Sequence, residues 1–414
     1  MTIYKTFNNG LKLVINKMEG LVSASIGVLV KTGSINEKAE ENGISHFIEH
    51  VMFKGTNKRS AFEISDYIDR IGAQINAFTS KEMTCYYTKS TGEHMADSLE
   101  VLSDIFFNSK FDKEELEKEK GVVIEEINMC EDSPEDICLD LLAESYYGSE
   151  GLGKTILGSI KNIKSFNEKN VRDYISRYYT ADNVVISMAG DIDVELAEKL
   201  VKDYFADKFT VFKSDSQVKT SLVKPQNLYK SKRIEQSHIG FAMRSYVAED
   251  KLSDAFGIAN IVLGGGMSSR LFQKIREELG LCYSIYSYAS QYKDNGIVEI
   301  YSGVNTSSRD LATNAIVEEV LKLKKDGITE QEFKRGKEQI KSAFIFSRES
   351  TAQQMLLYGK YLLFLNKEYD YQKRVKEIEN VSISDVFSAI EGSFDILNCA
   401  PATVGTKRTP IKIN

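Results

Sequence analysis

At 414 residues the chain is too long for one ordinary core, and two domains of about 200 residues are expected. A formal charge of −7 speaks against general nucleic-acid binding, which needs a basic face. No stretch approaches the ~20 apolar residues of a membrane span, and the first residues lack the apolar core of a signal sequence, so the chain reads as cytoplasmic.

In chain order, residues 21–31 carry the alternating and buried-run patterns of a strand. After a polar turn, residues 43–54 read as a helix, with Ser45 as the expected N-cap and Gly55 as a left-handed C′ residue. An amphipathic helix over 61–71 stops at Gly72, and strands follow over 74–79 and 84–90. Long helices are expected over 94–107 and 113–130, and a strand over 183–190 closes the half. The second half repeats this order: a strand over 237–243, helices over 253–263 and 269–279 with a stop at Gly280, strands over 282–290 and 296–303, then helices over 310–325 and 329–346. Between the halves, residues 207–229 are polar, hold one of only four prolines and suit a linker. The expected domains are therefore 1–206 and 230–414, arisen by duplication. Strands come in adjacent pairs and helices in separate runs, so each domain should be α+β, a largely antiparallel sheet with helices on one face. The five cysteines (Cys85, Cys130, Cys138, Cys282 and Cys399) are scattered and form no Cys-x-x-Cys pair, which points to free thiols.

The chemistry concentrates in His46-Phe47-Ile48-Glu49-His50, which holds two of the four histidines in the chain. On a helix, positions i, i+3 and i+4 share one face, so His46, Glu49 and His50 project together. Two imidazoles one turn apart can bind one Zn²⁺, and a carboxylate beside them can take a proton from water. The rival reading, histidines that are merely hydrogen-bonded, is weakened by the neighbours Phe47, Ile48, Val51, Met52 and Phe53. Three polar groups on one face of a buried helix need a partner. A catalytic zinc usually has three protein ligands, and the helix over 113–130 offers Glu119, Glu125 and Glu126. Val122, Val123 and Ile127 are expected on its inward side. Glu126 follows the two valines by one turn, and Glu119 lies on the same face in a supporting or substitute role. Glu125 is rotated by about 100° towards solvent. For any single one of these glutamates, a solvated face is the alternative.

Aligned on their first strands, the halves set Ala259, Val262 and Leu263 beneath His46, Glu49 and His50, and on their long helices they set Ala343 beneath Glu126. Chemistry is thus expected only in the first half, with one zinc per chain.

The run from His46 to Thr56 resembles the inverted zinc motif of the pitrilysin, insulysin and mitochondrial-processing-peptidase family. Segments beginning at Asn76, Tyr86, Ile156, Tyr178 and Ala189 also match, so the resemblance covers essentially the whole chain. It departs at Gly148–Gly153, where a His-Pro is missing before the Leu-Gly. The resemblance implies a zinc endopeptidase with Glu49 as general base. It places the third ligand 76 positions after His50, on Glu126, and a helper glutamate on Glu119. It implies that Asn76 contacts substrate backbone. Independently, Asn76, Ala77, Phe78 and Thr79 read as an exposed strand edge to which a peptide can add as a further strand; a plain core strand is the alternative. Arg276 and Tyr283 resemble the family's arginine–tyrosine pair. Tyr283 would donate to the developing oxyanion and Arg276 would hold a substrate carbonyl. Full-length relatives carry four such domains around a chamber and this chain carries two, so a homodimer closing on peptide substrates is expected.

Two rival readings compete with a zinc peptidase. Some relatives are non-catalytic structural subunits, which usually lose zinc ligands. A nucleophilic hydrolase lacks Gly-x-Ser-x-Gly and an evident partner for His94 or His238. The glycine run Gly264–Gly266 lacks a following Gly-Lys-Ser/Thr and reads as a loop near the substrate, not a nucleotide cradle.

Overall fold

The computed structural model describes residues 1–210, 213, 224–406 and 409–413. They form two compact units. The first comprises Met1–Ile127, Thr155–Val218 and Ile345–Tyr369, the second Asn128–Lys154, Lys219–Phe344 and Asp370–Asn414. Of the linker expected over 207–229, residues 211–212 and 214–223 lie outside the described residues.

The first unit is built on six strands, β1 (Thr2–Thr6), β2 (Lys12–Lys17), β3 (Ser23–Val30), β4 (Gln74–Thr79), β5 (Thr84–Thr91) and β6 (Val184–Gly190). Their order in the sheet is β1-β2-β6-β3-β5-β4. All pairs are antiparallel except β2 with β6, so the sheet is largely antiparallel, as expected, with one parallel pair. The helices α1 (Ile44–Val51), α2 (Ala61–Arg70), α3 (Met95–Asn108) and α4 (Lys113–Asp132) follow the expected order. Gly72 has the positive φ of a C′ residue, at 61°. By contrast, α1 ends at Val51 with Met52 as its C-cap, so Gly55, at 112°, lies beyond the following turn and is not the C′ residue expected of it. Ala24, Ile26, Val28 and Val30 of β3 turn into the core beside Phe47, Ile48 and Val51 of α1 and Leu99 and Leu102 of α3.

The second unit carries β7 (Leu228–Ser231), β8 (Gln236–Arg244), β9 (Cys282–Gln291), β10 (Gly296–Asn305) and β11 (Ala400–Gly405), ordered β7-β11-β8-β10-β9. Here β7 and β11 are the parallel pair. Read from β2 onward, the first sheet has the same order and the same single parallel pair, which is the duplication expressed as topology.

Each sheet is covered on its second face as well, by a helix from the other half of the sequence. The helix α5 (Pro134–Tyr147) lies against β8 and β11, with Cys138 and Leu142 over Gly240. In the first unit, the helix over Thr351–Leu365 lies against β3 and β6. Its Thr351 bonds the Ser25 hydroxyl at 2.8 Å, and its Met355 carbonyl accepts from Ser187 at 2.6 Å. This two-sided cover explains why β3 and β6 are buried along almost their whole length. All five cysteines are free.

Candidate metal centre

The helix α1 begins one residue before the expected cap. Gly43 is the N-cap, at φ 100°, and a Cβ there would lie 2.6 Å from the Leu157 carbonyl oxygen, so only glycine fits. Ser45 sits inside the helix, where its hydroxyl bonds Tyr174 at 2.8 Å. The cap expected of Ser45 is supplied by Glu37, a residue the motif reading passed over. Its buried carboxylate accepts from the backbone N–H of Gly43 and of Ser45, each at 2.8 Å, and from the Asn42 amide at 2.9 Å. A carboxylate at a helix N-terminus also suits the macrodipole.

Ile44, Phe47, Ile48 and Val51 bury one side of α1, and His46, Glu49 and His50 share the other. The Nε2 atoms of His46 and His50 each stand 3.5 Å from Glu126 Oε2. One donor atom from each of the three residues lies within 4.8 Å of the others. Four ligands placed about 2.1 Å from a common centre stand about 3.4 Å apart, so this spacing fits a tetrahedral Zn²⁺. Two imidazoles and one carboxylate suit zinc better than calcium or magnesium, which prefer oxygen alone.

Val122 is 51% exposed, contrary to the inward side expected for it, because only Val123 and Ile127 of that group turn into the core. Glu126 therefore sits at the rim of the buried stripe of α4, with its side chain 36% exposed, and that rim position lets it reach the histidines while staying open to water. Glu119, one stripe earlier, is 4% exposed. Its Oε2 lies 3.3 Å from His50 Nδ1 and its Oε1 2.6 Å from the Lys54 ammonium. Burial favours a protonated Glu119, but the bonds from His50 and Lys54 outweigh it and hold its pKa below the usual range. An ionised Glu119 then fixes the His50 ring with Nε2 towards Glu126, the outer-sphere arrangement that orients a histidine ligand. Lys54 had not been singled out in the sequence.

Burial, with a smaller contribution from His50, lowers the His46 pKa to about 4. Burial also opposes charge on His50, yet Glu119, Glu126 and Glu49 overcome it and raise its pKa. At pH 6 the metal-free chain therefore holds His46 neutral and His50 protonated. Zinc uptake at that pH should displace the His50 proton, so the number of protons released should change as the pH rises past the His50 pKa. Titration calorimetry in two buffers of different ionisation enthalpy reads this directly. Release that does not change with pH contradicts the assignment.

Glu49 Oε2 accepts from the Thr79 hydroxyl at 2.6 Å. Burial raises the Glu49 pKa, against the Thr79 bond that lowers it. Thr79 ends β4, which among the described residues pairs with β5 alone and so leaves one backbone edge open, with Asn76 exposed and Ala77 and Phe78 half-buried along it. Asn76 Oδ1 bonds the Ala77 N–H at 2.8 Å.

The second unit brings Arg276 and Tyr283 together. The Arg276 guanidinium stacks 5.0 Å from the centre of the Tyr283 ring and 4.5 Å from that of Phe272, and Tyr283 is 81% exposed. Arg276 stands on a π-helical stretch, Phe272–Glu278, where an ordinary helix was expected. In the duplicated copy, Ala259, Val262 and Leu263 are buried, on α6 (Ser253–Gly264). Gly336 stands where the first half has Glu119, and a Cβ on it would lie 3.0 Å from Ile258. Two helices thus close by direct apolar contact where the first unit keeps a polar cleft.

Residues 12–160 match the model of the insulinase family, peptidase family M16, and residues 165–340 match that of the peptidase M16 inactive domain. The chain is 43% identical over 386 residues to "Uncharacterized zinc protease YmxG" of Bacillus subtilis, covering 92% of this chain and 93% of that one. It is 31% identical over 388 residues to an uncharacterized zinc protease of Streptomyces coelicolor, covering 92% and 84%. A crystal structure of a protease from Helicobacter pylori shares the fold, with a TM-score of 0.89 at 23% identity over 98% of this chain and 99% of that one. Among the described residues no helix is long and apolar enough to cross a membrane. The chain belongs to peptidase family M16, the insulinase family, as a two-domain member of the bacterial type.

Proposed function

We propose that the protein is a zinc endopeptidase acting on peptides or unfolded precursor segments in the cytoplasm. The observation that carries this is the cluster of His46, His50 and Glu126 at zinc spacing, with Glu49 beside it but outside the ligand set. Bound zinc would supply a Lewis acid that polarises the scissile carbonyl and lowers the pKa of water towards about 7. Glu49 takes the proton of the attacking water and passes it to the leaving amine as the C–N bond breaks. The open edge of β4 receives the peptide backbone as an added strand, with Asn76 contributing a polar contact. Tyr283 donates to the oxygen that becomes negative, and Arg276 holds a neighbouring carbonyl. Because the chain has two such domains and carries both the zinc motif and the arginine–tyrosine pair, the active form is a homodimer in which the partner completes each site.

The non-catalytic alternative is disfavoured by the retention of every ligand. The test is to measure bound zinc and the cleavage of an unstructured peptide of 20 to 30 residues, before and after chelation. Zinc near one per chain and cleavage that chelation abolishes are expected. A zinc-loaded wild type that cleaves no such peptide favours a structural subunit.

A further inference from the structure

The geometry points to Thr79 as a positioning residue that holds Glu49 and links it to the edge strand on which a peptide would bind. Its starting point is the proposed peptidase reading, which it deepens. The Glu49 carboxylate makes one hydrogen bond among the described residues, from the Thr79 hydroxyl to Oε2 at 2.6 Å. A glutamate side chain has three rotatable bonds, and only a fixed partner makes it a preorganised base. Threonine suits that task because its branched Cβ stiffens χ1 and aims the hydroxyl. With Oε2 committed to Thr79, Oε1 is the oxygen left to receive the proton of the attacking water.

Placement adds the second part. Thr79 is the last residue of β4, and the open edge of β4 is the surface a peptide strand would extend. Whatever orders β4 therefore also orders the hydroxyl that holds the base, so backbone binding and base alignment share one element.

The experiment compares wild type, Thr79→Val and Thr79→Ser for kcat and KM on an unstructured peptide, with zinc content measured alongside and a crystal structure of the zinc-loaded valine variant. Valine keeps the shape and removes the hydroxyl. Thr79→Val should lose kcat by about ten- to a hundredfold with KM within about twofold and zinc unchanged, and serine should recover most of the loss. A purely structural role moves thermal stability and is not rescued in kcat by serine. A loss confined to KM would make Thr79 a substrate contact, and a valine variant with unchanged kcat would make the bond idle; either overturns the inference. The crystal structure decides independently of turnover. If the Glu49 carboxylate keeps its place without the hydroxyl, the inference fails even where wild type proves inert, and inertness of wild type by itself counts only against the peptidase reading.

Discussion

Glu49→Gln should retain its zinc and lose peptide cleavage by about 10²- to 10⁴-fold, the range a positioned general base contributes. Glutamine matches glutamate in shape and can still accept from Thr79, so the helix and its ligands have no reason to move. What it lacks is an oxygen basic enough to take a proton. Zinc loss in this variant would mean that Glu49 is a ligand and that the roles assigned on α1 are wrong. The silent chain also tests the dimer. Mixed with Tyr283→Phe, it should yield heterodimers in which one zinc motif with an intact Glu49 faces an intact Tyr283 from its partner. Activity above that of either parent is expected; mixed dimers no better than the parents would place Tyr283 in the same chain as the zinc it serves.

The residues of α1 were legible in the sequence because helical spacing is local: positions i, i+3 and i+4 share a face whatever the rest of the chain does. Glu126 is harder, since it depends on the phase of a long amphipathic helix. That phase was misjudged at Val122, which is exposed, and Glu126 reaches the histidines from the rim of the buried stripe. Thr79 was visible as part of an edge strand, but its bond to Glu49 follows from how β4 packs beside α1, which no periodicity encodes. The cap of α1 was hidden for a similar reason. Glu37 comes from the irregular stretch before the helix, and a serine at the expected position drew the assignment.

Long-range pairing accounts for the rest. The parallel contacts of β2 with β6 and of β7 with β11 join strands distant in sequence, so adjacent-pair reasoning saw only the antiparallel part. The helices on the second faces are subtler still. Each covers the sheet of the other half, as Met355 does over β3 and Leu142 over β8. The signal was present in β3, which reads as a continuous apolar run and not a strict alternation, and such a run calls for cover on both faces. With both helices exchanged, neither half of the sequence can finish its own sheet, which ties the copy without the histidine pair to the folding of the one that carries it.

Glu37→Ala should cost about 3 kcal/mol of stability and weaken zinc binding with it. Two buried donors lose their acceptor, the N–H groups of Gly43 and Ser45, while the half-buried Asn42 amide keeps its bond to the Thr155 carbonyl. A buried donor left unpaired costs about 1–3 kcal/mol, and the sum is reduced because the fold no longer desolvates a carboxylate. That desolvation is real, since burial holds the Glu37 pKa up against all its hydrogen bonds. Glu37→Gln keeps one good acceptor and should lose about half as much. The informative comparison is Ser45→Ala, which removes the hydroxyl that bonds both Tyr174 and the Glu37 carboxylate and should cost about 1–2 kcal/mol. Urea unfolding of the metal-free proteins ranks the three. If Ser45→Ala costs as much as Glu37→Ala, the serine and not the glutamate secures the start of α1. If Glu37→Ala costs far more, His46 and His50 owe their alignment to a carboxylate nine residues before the first of them.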